Sequence, residues 1–315
     1  MVNINNKGDY MLLKLIKTSA LISLTASVLS ANAFNVQAEK DRKALIDYTT
    51  KKFSDPVKNQ SAFFPYSTKD ELKKMRKNIP AEDFKDGTYA FDMIGKVSRD
   101  DQMEMPPFED NVDNGEELYN KYFTNCLKAP VNNYPLFDEK AGKVVTLSGA
   151  LMSCVKDAGL DTLTNKKGKK VWNYKGGKLA NVEAYLAYQA QEDGKKVDIK
   201  INSASAAAAY ERGKKEYYSQ RGYLKLSCAT CHVQGAGQRV RLQYMSPLLG
   251  HVTHFPVYRV GKGKLFTLEG RLGGCNRDEG ENYKLHKPGS TWANDILYFM
   301  SYMSNGMDIA LDVRR

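Results

Sequence analysis

Cys228-Ala229-Thr230-Cys231-His232 is the segment whose residue types and spacing could do chemistry unaided. Cysteines three apart lie on one face of a helical turn, where both could form thioethers to haem vinyl groups. The adjacent histidine then brings an imidazole to the iron, and Cys-x-x-Cys-His is the attachment pattern of c-type haem. A lone Cys-x-x-Cys could instead be a disulfide, half a zinc site or a redox pair. The following histidine and the absence of a second Cys-x-x-Cys argue against those.

Three cysteines remain: Cys126, Cys154 and Cys275. Cys275 follows Gly273-Gly274 and lies four residues after Arg271. The glycines would let backbone and thiol approach a crowded group. A thiolate can ligate haem iron and stabilises the ferric state, and a nearby guanidinium favours the thiolate and can hold an oxyanion. Equally, Cys275 could be a small buried residue with no chemistry. His251, His254 and His286 are other possible ligands, though each is more often a surface or hydrogen-bonding residue. Met245 follows His232 by only 13 residues, which makes the opposite haem face hard to reach. Met300 and Met303 fit a core stripe; Met307 is a further sulfur. Lys262 and Lys264 could extend a positive rim, although a solvated pair is the commoner explanation.

The elements that position these residues occur twice. Tyr134–Cys154 and Phe255–Cys275 align without a gap at an offset of 121, with eight of 21 positions identical. Gly115-x-x-x-Tyr119 before Cys126 matches Gly213-x-x-x-Tyr217 before Cys228. Ala180-Asn181 before Tyr185 matches Ala293-Asn294 before Tyr298, and Asp198-Ile199 matches Asp308-Ile309. Three segments in one order predict two copies of one fold. Trp292–Met303 carries apolar residues at helical spacing, and Val182, Tyr185, Leu186 and Ala190 recur similarly in the first copy. Helix, motif, irregular middle and terminal helix is the layout of a small cytochrome c. At the motif position the first copy has Cys126-Leu127-Lys128-Ala129-Pro130, so it should hold no haem. In an oxidising compartment Cys126 and Cys154 are expected to form a disulfide.

The composition sets the bounds. Of 315 residues, 42% are apolar and 10% aromatic, which excludes a disordered chain. A mean hydropathy of −0.53 excludes a polytopic membrane protein. A net charge of +11 favours anionic partners without naming one. Lys14 and Lys17 precede an uncharged apolar stretch, Ala20–Ala31, too short for a span but suited to a secretory signal, with cleavage expected after Ala38. The expected fold is mainly α: signal peptide 1–38, an extended N-terminal arm 39–105 with short helices, and two tandem cytochrome c-like domains. The first, 106–202, is degenerate and haem-free; the second, 203–315, binds haem. The arm reading rests on Pro56, Pro65, Pro80 and the charged stretch 69–77.

Export signal, arm, a first copy with a retained cysteine pair, then Cys-x-x-Cys-His and Arg271-Leu272-Gly273-Gly274-Cys275: in these features the chain resembles the SoxA family. These are the A subunits of the Sox thiosulfate-oxidising cytochrome, and the resemblance covers nearly the whole mature chain. Some members carry a second haem in the first copy; residues 126–130 depart from that pattern and look like the mono-haem form. The resemblance implies L-cysteine S-thiosulfotransferase activity, in which thiosulfate is joined oxidatively to a cysteine of the carrier SoxYZ and electrons leave through haem to cytochrome c. It implies one covalently bound c-type haem on Cys228 and Cys231, with His232 as one axial ligand. Cys275 would be the other ligand and the active-site cysteine, carried as a persulfide, and Arg271 would bind substrate. Arg277, two residues past Cys275, is a further candidate anion contact on position alone. A smaller haem subunit, SoxX, is implied as heterodimer partner, and the periplasm as location; nucleic acid and stable membrane insertion are not expected. Two rival readings remain: an electron-transfer cytochrome with histidine or methionine opposite His232, and an interaction module whose haem is only structural.

Overall fold

A computed structural model describes residues 34–240, 243–278 and 286–314. The apolar stretch read as an export signal lies outside the described residues. The expected cleavage point after Ala38 falls within helix α1 (Val36–Lys52), where Ala38 is buried.

The arm is less extended than its prolines suggested. It opens with the 17-residue α1, whose buried residues Ala38, Leu45, Thr49 and Lys52 form one stripe. Short helices α2 (Gln60–Phe63) and α3 (Lys69–Lys73) follow, then α4 (Met93–Met103). The unanticipated feature is aromatic. Phe53, Phe64, Phe84 and Phe91 are all buried, and Phe53 meets Phe91 at 4.6 Å between ring centroids. These rings sit in loops, turns and, for Phe84, a 3-10 helix (Ala81–Ala90), where no long period marks them as core. They join one cluster with Tyr210, Tyr217, Phe299 and Met303, so the arm completes the core of the second copy.

Each copy is held by a crossing helix pair. In the first, α5 (Glu109–Tyr122) packs on α7 (Lys178–Glu192), with α6 (Leu147–Asp157) between them in sequence. In the second, α8 (Ala204–Tyr218) packs on α10 (Thr291–Met303), with α9 (Leu268–Asp278) between. A Cβ on Gly115 would collide with the Asn181 carbonyl, and one on Gly213 with the Asp295 carbonyl. The helices therefore touch backbone to backbone, which only glycine allows.

The middle segments match strand for strand. Strands β1 (Leu136–Asp138) and β2 (Lys143–Val145) pair Leu136 with Val145 and Asp138 with Lys143. After the two-residue ladders β3 (Trp172–Asn173) with β4 (Gly176–Gly177) and β5 (Arg239–Val240) with β6 (Gln243–Tyr244), the pattern returns. Strands β7 (Val257–Arg259) and β8 (Lys264–Phe266) pair Val257 with Phe266 and Arg259 with Lys264, the same register at the offset of 121. Among the described residues only the second hairpin gains a parallel third strand, β9 (Asp312–Arg314). Thr146 caps α6 by accepting from the Gly149 N–H at 2.9 Å, and Thr267 caps α9 by accepting from the Gly270 N–H at 3.0 Å. The sequence repeat is thus a structural one.

Cys126 and Cys154 form the expected disulfide. Beside it in the first copy, Phe123, Leu151, Val155 and Trp172 make a separate small core. Between the copies lies a mostly apolar cavity of about 110 Å³ with Glu183 and Glu269 in its wall. Ser148 donates to Glu183 and Thr146 donates to Glu269, whose second oxygen has no partner among the described residues. Burial pushes Glu183 up to about 7 and Glu269 up to about 8.

Two outcomes test this packing. The disulfide closes a loop of sequence separation 28, so replacing both cysteines by serine should cost about 3.5 kcal/mol in a chain-entropy treatment, read by denaturant unfolding; no change would mean the loop is equally restrained without it. The acid pair sets a pH slope. The unfolded chain releases these protons near 4.5, whereas the fold holds them to about 7 and about 8. Stability therefore falls as pH rises through that window. Glu269→Gln should flatten the decline of the unfolding midpoint, and a slope equal to wild type would show that Glu269 is not carried protonated.

Candidate functional site: a cavity between the cysteine motif and helix α9

The motif turn is fixed at both ends. Ser227 and Thr230 exchange backbone-to-hydroxyl bonds at 3.0 and 3.1 Å, which starts the turn, and Thr230–Gln234 continues as a short π-helical turn. At its far end Lys52 of the arm donates to the Gln234 carbonyl at 2.6 Å. Lys52 is fully buried against Phe53 and Phe64, and burial pushes its ammonium down to about 8. A buried cation on otherwise unmet carbonyls at a helical C-terminus meets both needs at once.

His232 is oriented by a bond from Nδ1 to the Ser246 carbonyl at 2.8 Å. A carbonyl can only accept, so the proton sits on Nδ1 and Nε2 keeps its lone pair. Burial holds His232 below the usual imidazole range; the bond to Ser246 opposes this, and the Arg271 guanidinium adds to the lowering.

Two adjoining cavities lie against this turn. The narrower, of about 230 Å³, is mainly apolar, with Tyr217, Cys228, Leu272, Leu297 and Met300 in its wall. The larger, of about 440 Å³, extends to Arg259, His254 and Arg314. Cys231, His232, Met245, His251, Arg271 and Cys275 line both. Arg271 and Cys275 thus share a cavity wall with the motif residues Cys231 and His232. They are four apart on α9, one helical face, and that face meets His232.

Other candidates sort by place. His251 stands beside His232 with ring centroids 4.3 Å apart, and His254 is buried in the larger cavity. Burial holds both well below the usual range, and neither Nδ1 has a partner among the described residues. His286 instead stacks on Trp292 at 4.2 Å. Met245 reaches the shared wall despite its short distance in sequence, while Met303 is core. Arg277 is exposed and lines neither cavity. A Cβ on Gly274 would meet nothing within 4 Å, so protein crowding does not require that glycine. Sequence reasoning missed Arg259 and the Tyr217 hydroxyl, which is buried without a partner among the described residues in the narrower cavity. The repeat alignment held a signal for Arg259, because the first copy has Asp138 there.

The first copy has a corresponding cavity of about 370 Å³, lined by Asp138, Ala150, Cys126 and Cys154. It holds the disulfide where the second copy holds Cys275.

No protein-family model matches the chain. Among curated proteins it is 34% identical to the L-cysteine S-thiosulfotransferase subunit SoxA of Allochromatium vinosum over 81% of this chain and 88% of that protein. It is 36% identical to the subunit of the same name from Chlorobaculum tepidum, over 92% of this chain and 93% of that one. Among solved structures it resembles a chain of SoxXA from Paracoccus pantotrophus with a TM-score of 0.54 and 25% identity, over 67% of this chain and 79% of that one. With this identity sustained over more than four-fifths of its length, the chain belongs to the SoxA family.

Proposed function

We propose that the chain is the haem-binding A subunit of an L-cysteine S-thiosulfotransferase. The observation that carries this reading is the placement of Arg271 and Cys275 on one face of α9, in the wall that also holds Cys231 and His232. The relatives' shared name supports the reaction, and the SoxXA structure supports a SoxX-type partner.

The residues present fit a single c-type haem. Cys228 and Cys231 are not disulfide-bonded, His232 has a free Nε2, and the adjoining cavity is apolar, with an orphan phenol at Tyr217. Cys228 and Cys231 would carry the thioethers, and His232 and Cys275 would ligate the iron. When bound, this group supplies an outlet for electrons. In the first copy Cys126 is tied to Cys154, which leaves no cysteine for attachment and supports a haem-free domain.

The net reaction balances as follows. Thiosulfate and a carrier cysteine thiol give the carrier S-thiosulfonate, one proton and two electrons; the thiol S–H bond breaks, one S–S bond forms, and cytochrome c takes the electrons. The chain's own part is to bind and orient. Arg271 would hold the sulfonate oxygens by charge-assisted hydrogen bonds, which keeps thiosulfate beside Cys275. The same guanidinium favours a sulfur anion at Cys275, four residues along the helix. A SoxYZ-type carrier supplies the accepting cysteine. The disulfide supports export to the periplasm, and no described helix is long and apolar enough to cross a membrane.

An electron carrier without a catalytic cysteine is the second reading, and His251 beside His232 is its specific candidate ligand. Low-temperature EPR of the oxidised holoprotein separates the two. Wild type should give a low-spin, thiolate-type ferric signal that Cys275→Ala abolishes at equal haem content. Identical signals would give the site to the electron carrier. Arg271→Ala should keep the signal type and lower thiosulfate turnover about a hundredfold; full activity would remove Arg271 from the site.

A further inference from the structure

The larger cavity holds more positive charge than one anion-binding arginine accounts for. Val257 and Arg259 lie two apart on β7, hence on one face, and both line it. Arg314, opposite Arg259 on β9, also lines it but is committed elsewhere. It pairs with Asp312 at 2.6 Å, donates to the Asp86 carbonyl and lies 4.7 Å from the Tyr89 ring centroid. Neither Arg259 nor Arg271 has a carboxylate within ion-pair distance among the described residues. Burial, and then the Arg271 and Arg314 guanidiniums, hold Arg259 below its ordinary value. Two like charges converge on one half-buried space without a counter-charge among the described residues, a cost that a bound anion would relieve.

The repeat sharpens this. Arg259 corresponds to Asp138, and Arg271 to Ala150. Asp138 and Ala150 line the first copy's cavity beside the Cys126–Cys154 bond, with Asp138 paired to Lys128 at 3.1 Å. On the same hairpin and helix, both positions differ toward positive charge in the copy that carries Cys275 and the cysteine motif.

We propose that Arg259 is a second anion-binding residue of this site, clamping the sulfonate end of thiosulfate together with Arg271. The inference rests on the thiosulfotransferase reading and deepens it. Thiosulfate is a dianion whose sulfonate offers three oxygens, and two guanidiniums from different elements fix both its charge and its direction. One guanidinium on a rotatable side chain would hold the charge but not the direction. A haem propionate has the same recognition chemistry, and the experiment distinguishes the two.

Arg259→Gln and Arg259→Lys are compared with wild type in the holoprotein with its SoxX-type partner, with exposed Arg239→Gln as a control. The measurements are KM and kcat for thiosulfate with cytochrome c as acceptor, thiosulfate Kd by calorimetry, haem content and haem midpoint potential. Arg259→Gln should raise KM and Kd about tenfold or more, with kcat within about threefold and the potential unchanged. Arg259→Lys should recover part of the affinity and show that the fold tolerates change there. KM and Kd within about twofold of wild type overturn the proposal. A moved potential with unmoved KM overturns it too and assigns Arg259 to a propionate. If wild type itself neither binds nor turns over thiosulfate, the thiosulfotransferase reading falls, and this one with it.

Discussion

The first turn of α9 is pinned to the other copy, and the site depends on that anchor. Thr267 accepts from the Gly270 N–H while its hydroxyl donates to the Tyr174 carbonyl. One residue on, Leu268 walls both the apolar cavity and the one between the copies. Glu269 accepts from Thr146 of the first copy, and a Cβ on Gly270 would press on the Lys175 backbone at 2.7 Å. Four consecutive residues thus fix the helix in height and rotation before Arg271 and Cys275 are reached. A helix free to turn by one residue would move both side chains off the cavity together, because each residue turns it by about 100°. The first copy therefore acts as a platform for the helix that carries the thiol.

The opposite wall is fixed by the arm. Lys52 meets the carbonyls at the end of the motif turn, and Phe91 packs on Tyr244, itself in the cavity wall. The cavity is thus gripped between the arm and the first copy, two segments that both precede the cysteine motif in sequence. Neither grip uses a residue of the chemistry, so motif and thiol are positioned independently, and the distance between them is set by packing rather than by a covalent link.

Legibility followed locality. The motif turn and Arg271 with Cys275 are local patterns whose spacing alone puts side chains on one face, so they were readable. The repeat was readable because the hairpin needs the same turn and cap residues twice: Gly142 and Gly263 both take positive φ, and Thr146 and Thr267 both cap. The disulfide followed from pairing two cysteines that the repeat set apart from the motif. The arm's role was not readable, since Phe53, Phe84 and Phe91 become core only through contacts that no local period encodes. Arg259 was hidden for the same reason. A strand-end arginine next to lysines looks solvated until β9 covers the strand and closes the cavity around it.

Charge completes the account. Glu269 is two residues from Arg271 and, ionised, would lower the positive potential along that helix. It points instead into the cavity between the copies, as residues two apart on a helix must diverge, and burial keeps its proton to about 8. Asp312, the carboxylate nearest the cavity on β9, is taken by Arg314 at 2.6 Å. One acid is neutralised by a proton and the other by an ion pair, so neither meets Arg259 or Arg271. A protein that only needed to fold would gain by letting these carboxylates meet those guanidiniums, because an unpaired buried cation is costly. Their separation leaves net positive charge beside Cys275, where a dianionic substrate can supply what the fold withholds.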